Sequence, residues 1–141
     1  MQTTVRSTPF PSRAASAASY GDSRALILED DVLQADLLAD HLTALGCRVI
    51  AKCRSVTEAR AELKRTRPCF ALLDVHLGER ETSKPIQRIL RFYRIPYALL
   101  TAYPSAADAA PGLNYHIVAP KPFNPETIEL AVAALLHKSR S

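Results

Sequence analysis

From Arg24 onward, short unbroken apolar runs alternate with segments whose apolar residues recur at helical spacing. That alternation is the tightest constraint on the fold, because a strand apolar on every position must be covered on both faces, which a parallel sheet between helices provides. The expected strands are 25–28, 48–52, 70–73, 97–100 and 117–119. Between the first two, Ala35, Leu38, Leu42 and Leu45 fall on one face of a helix that Gly46 stops. The next helix opens with Ser55 and Glu58 at capping-box spacing, buries Val56, Ala59 and Leu63, and cannot run past Pro68. A third starts near Pro85 and turns Ile86, Ile89, Leu90 and Tyr93 inward; the last opens with Asn124, Pro125 and Glu126 and buries Ile128, Ala131, Val132 and Leu135. Between strands four and five, Pro104, Pro111 and Gly112 interrupt any amphipathic pattern. The expectation is therefore an α/β fold, a five-stranded parallel sheet, doubly wound, with its fourth helix short or missing.

Residues 1–23 are rich in Ser, Thr, Ala and Pro without periodicity and read as a flexible tail, leaving 24–138 as one domain with no output domain after it. The 141 residues suit a single core, at 48% apolar and 23% charged. A net charge of +4 is too mild to argue for nucleic acid. No apolar run approaches the roughly 20 residues of a membrane span or forms a secretion signal, so a cytoplasmic protein is expected. Cys47, Cys53 and Cys69 show no metal-binding spacing and read as reduced structural cysteines.

Doubly wound sheets keep their sites at the carboxyl ends of the strands, where strand order reverses. The polar residues at those ends are Glu29, Asp30 and Asp31 after the first strand, Asp74 after the third, Thr101 at the fourth and Lys121 after the fifth. Four separate strands thus converge on one edge. Glu29 and Asp30 are taken as the working acidic pair, and Asp31 as the cap of the following helix.

An acidic pair, an aspartate in Leu-Leu-Asp74-Val-His-Leu-Gly, Thr101-Ala102 and Lys121-Pro122-Phe123, each at a strand end in this order, together resemble the receiver domains of two-component response regulators. The resemblance spans about 24–138 and implies the flavodoxin-like receiver fold. It also implies that Asp74 takes a phosphoryl group from a phosphohistidine, supplied by a sensor histidine kinase or a histidine phosphotransfer protein. Attack by a carboxylate on an anionic phosphoryl group needs positive charge nearby. The resemblance assigns this to Mg²⁺, held by Asp30, Asp74 and the backbone carbonyl of His76, with Glu29 acting mainly through water, and to Lys121. The Thr101 hydroxyl would bond a phosphoryl oxygen and draw its loop inward, and Lys121-Pro122 is expected to be cis. Such a domain is not a classical enzyme. It signals or relays through a downstream protein partner, with a homodimer left open.

One departure stands out. Most receivers carry a Tyr or Phe three residues before the lysine, where this chain has Val118. The segment 95–103 resembles an alphaproteobacterial subgroup with a Phe-Ala-Thr-Gly-Tyr-like fourth strand, which makes Tyr103 the substitute switch candidate beside Thr101 and Val118. A non-phosphorylated receiver-like scaffold is the alternative reading. A phosphatase of the haloacid dehalogenase type is more remote, because it needs an acid two residues past its nucleophile, where His76 stands.

Overall fold

The computed structural model describes residues 20–102, 116–122 and 124–140. Its elements follow one another as β1 (Arg24–Leu28), α1 (Val32–Ala44), β2 (Arg48–Cys53), α2 (Val56–Arg65), β3 (Phe70–Asp74), β4 (His76–Leu77), β5 (Glu81–Thr82), α3 (Lys84–Phe92), β6 (Tyr97–Thr101), β7 (His116–Pro120) and α4 (Pro125–Arg140). The main sheet is parallel, in the order β2-β1-β3-β6-β7. Counting its own five strands, that is 2-1-3-4-5, the flavodoxin-like order, with the reversal between β1 and β3.

Period-two alternation within the apolar strands divides the core. Ala25, Ile27, Phe70, Leu72, Ala98 and Leu100 point to one face, where Leu38 and Leu42 of α1 and Ile128, Val132 and Leu135 of α4 cover them. Leu26, Leu28, Ala71, Leu73, Tyr97 and Leu99 point to the other, under Val56, Ala59 and Leu63 of α2 and Ile86 and Leu90 of α3. Each fully buried Leu, Ile or Phe on these faces contributes roughly 1.5–3 kcal/mol relative to exposure. Both faces being closed is why the central strands β1, β3 and β6 show no polar stripe.

The helix starts follow their side-chain caps. Asp31 accepts a hydrogen bond from the Gln34 N–H and Ser55 from the Glu58 N–H. Asn124 does the same for Thr127. Gly46 ends α1 with φ 90°, a backbone angle that side chains with a Cβ rarely adopt.

Several expectations shift. The Glu58 carboxylate accepts from the Arg54 N–H rather than closing a box on Ser55, and Glu81 accepts from the Val56 N–H, 25 residues away in sequence. Tyr93 does not turn inward with Ile86 and Leu90: it caps α3 and is 43% exposed. The antiparallel pair β4 and β5 was not anticipated. All three cysteines are free, with Cys47 and Cys53 buried and Cys69 half-buried. The short or missing fourth helix and the Tyr103 switch concern 103–115, and the tail concerns 1–19; both stretches lie outside the described residues. Among the described residues, no helix is long and apolar enough to cross a membrane.

Candidate functional site

The strand order brings the charged strand ends together. Glu29 and Asp30 leave β1, Asp74 ends the neighbouring β3, and Lys121 follows β7 at the sheet's far side, reaching back over β6. The Lys121 ammonium donates to Glu29 Oε1 at 3.1 Å and to Asp74 Oδ2 at 3.2 Å. The lysine backbone is fixed by its N–H on the Thr101 carbonyl at 2.8 Å, and its bond to Pro122 is cis, as expected.

Glu29 is 1% exposed, while Asp30 and Asp74 are half-buried. The Glu29 carboxyl is raised to about 7, chiefly by burial and further by the charge of Asp74, against the opposing pull of the Asp31 N–H on its Oε2 and of Lys121. Burial also works against the charged form of Lys121. The Asp74 and Glu29 carboxylates outweigh it, and the net shift is upward. Two acids and one lysine therefore form a mutually dependent cluster, with Asp74 held at the mouth.

One carboxylate oxygen from each of Glu29, Asp30 and Asp74 lies within 4.8 Å of the other two. Three hard oxygen donors at this spacing suit a small divalent cation that keeps several waters, of which Mg²⁺ is the biological type. Asp30 is positioned by a residue that sequence reasoning missed: its Oδ2 accepts the Gly78 N–H at 3.0 Å. Gly78 turns the β4–β5 hairpin at φ 73°, the left-handed region that glycine enters without a Cβ clash. The hairpin is tied at its other end to the start of α2 by Glu81. Strands of two residues leave no periodicity to read, so Gly78 followed by polar residues was the only local signal.

Thr101 ends β6 and is buried at 2% exposure. His76 opens β4 next to Asp74, with its side chain exposed. Val118 pairs with Leu99 and packs, half-buried, against the α2 and α3 side of the core. The site edge thus assembles Glu29, Asp30, Asp74 and Lys121 directly, with Thr101 and His76 at adjoining strand ends.

No protein-family model matches the chain, and no curated protein matches it in sequence. Solved structures do match. SdrG from Sphingomonas melonis Fr1 is 30% identical with a TM-score of 0.68, over 82% of this chain and 98% of SdrG. The response regulator PhyR from Brucella abortus is 26% identical with a TM-score of 0.74, over 92% of this chain and 54% of PhyR. The PhyR response-regulator receiver domain from Erythrobacter litoralis, at 24% identity and a TM-score of 0.73 over 83% and 92%, shares the fold. The chain spans about half the length of the longer PhyR chains it matches. Fold, strand-end residues and these likenesses agree: the chain belongs to the receiver domains of response regulators. Within that class it is similar to PhyR and to SdrG.

Proposed function

We propose that Asp74 is the phosphoacceptor and that the chain takes its phosphoryl group from a phosphohistidine on a sensor histidine kinase or histidine phosphotransfer protein. One observation carries this: Asp74 shares Lys121 with the buried Glu29, at the point where strand order reverses. An Asp74 oxygen attacks phosphorus, the phosphorus–nitrogen bond breaks, and the imidazole leaves with the bonding pair and takes up a proton. Lys121 meets the charge gathered on the phosphoryl oxygens, already fixed by its backbone bond to Thr101. Asp30, Asp74 and the His76 carbonyl would hold Mg²⁺, with Glu29 bonding its waters, and the ion would supply further charge neutralisation. The Thr101 hydroxyl is the group assigned to a phosphoryl oxygen after transfer. Output then passes by protein contact from a cytoplasmic domain, with Tyr103 as the switch aromatic in place of Val118.

The test is incubation with Mg²⁺ and acetyl phosphate, or with beryllofluoride, followed by intact mass and NMR. Wild type should gain one phosphoryl group and shift resonances around Asp74, Thr101 and Lys121; Asp74→Asn should do neither. Phosphorylation that survives in Asp74→Asn would refute the assignment. A wild type that neither gains mass nor responds to beryllofluoride would instead support a constitutive scaffold, the reading that the aliphatic Val118 favours.

A further inference from the structure

On the face of the domain covered by α2 and α3, the two helices leave a groove of about 370 Å³, floored by Leu63, Ile89, Phe92 and Tyr93 and edged by Arg60, Lys64 and Arg88. Its aromatic end is built rather than incidental. The Arg67 guanidinium lies 3.7 Å over the Tyr93 ring and donates to the Leu63 carbonyl, tying the end of α2 to the end of α3. Phe92 meets Tyr93 edge-on at 5.1 Å and is nonetheless 79% exposed, a large apolar surface at the groove mouth.

The charge around this apolar floor is one-sided. Glu58 and Glu62 are the acids of α2: Glu58 accepts from the Arg54 N–H and Glu62 takes both bonds from Arg65. Helix α3 has no acid at all. Arg60, Lys64 and Arg88 therefore face the groove with no carboxylate among its lining residues. An occupant must bring apolar side chains for the floor and carboxylates for the rims, and a groove between two helices has the shape that receives a third.

We propose that the α2–α3 groove docks an acidic amphipathic helix of a partner protein. The chain's own residues 1–19 do not meet the requirement, since they contain Arg6 and Arg13 and no acid. Helix α1 has exposed Leu33 and Leu37, but of its two acids Asp36 already pairs with Lys52 at 2.8 Å, which leaves Asp40 alone to meet three groove cations in a second copy. The surface is separate from the acidic edge and does not depend on Asp74 accepting phosphate.

The probe is a fluorescein-labelled synthetic helix with leucines at i, i+4 and i+7 flanked by glutamates, compared with one carrying lysines in place of the glutamates. Anisotropy titrations with the full chain should show the acidic helix binding at least about tenfold more tightly, weakening as salt rises. Lys64→Glu combined with Arg88→Glu should abolish that preference, and Phe92→Ala should reduce affinity several-fold, with circular dichroism unchanged in each. Equal binding of both helices, no saturable binding of the acidic one, or affinity unaffected by these variants would overturn the proposal. Sedimentation showing self-association that the same charge reversals abolish would place a second copy in the groove and overturn it equally. So would displacement of the acidic helix by anionic lipid vesicles.

Discussion

The two charged surfaces of this domain are built in opposite ways. At the carboxyl edge of the sheet, acids and base come from distant strands and satisfy one another, with Lys121 between Glu29 and Asp74. In the α2–α3 groove, cations from two helices surround an apolar floor with no acid among them. The contrast lies in what each needs. The first is a cluster whose carboxylates outnumber its lysine and can take a cation; the second has cations to spare. Buried charge is tolerated only when paired, so the edge has to be closed electrostatically, whereas solvent lets the groove stay unbalanced.

Removing Lys121 is the strongest way to break this contrast. Lys121→Ala leaves buried Glu29 facing Asp74 without a counter-charge, and should abolish phosphorylation by acetyl phosphate while destabilising the fold by about 1–3 kcal/mol in urea unfolding. Activity and stability both unchanged would mean that the two acids do not need their base. Cation binding should act in the opposite direction. Mg²⁺ at a hundred times its Kd should stabilise wild type by about 2.7 kcal/mol in thermal unfolding, and Asp30→Asn should lose most of that gain. An equal gain in both proteins would mean that the ion binds elsewhere.

The groove should respond weakly in the same assay. Phe92→Ala, at an exposed position, should change stability by no more than about 0.5 kcal/mol. A loss several times larger would show that Phe92 is part of the fold and not a surface held for a partner. The smallest effect belongs to the core between the two surfaces. Burial pushes the Cys47 thiol up to about 11 and the Cys53 thiol up to about 12, above the ordinary value of 9.0. Neutral thiols are therefore favoured in the folded state. The stability they contribute is fully present below pH 9 and declines as pH rises through about 11 to 12. At pH 8, a thiol reagent should modify half-buried Cys69 well before Cys47 or Cys53 in the native protein. Rapid modification of all three would show that the core opens far more readily than its packing implies.

Much of the fold was legible because its signals are local. Strand candidates differed from the observed bounds only at their ends, and Asp31, Ser55 and Asn124 cap the helices expected of them. A cap joins residues two or three apart, and a strand buried on both faces is apolar along its whole length; neither needs tertiary information. The acidic pair, Asp74, Thr101 and Lys121 could be named for the same reason, since each follows a recognisable apolar run. What sequence could not supply was any contact whose partners are distant and whose elements are too short to leave a period. Gly78 holding Asp30 from 48 residues away, Glu81 capping α2, and Tyr93 lying under Arg67 instead of in the core are of this kind. Short-range chemistry determined which residues form strands, helices and their ends. Only the folded chain decided that one lysine would be shared by two acids from different strands, and that three cations would gather around a groove with no acid among its lining residues.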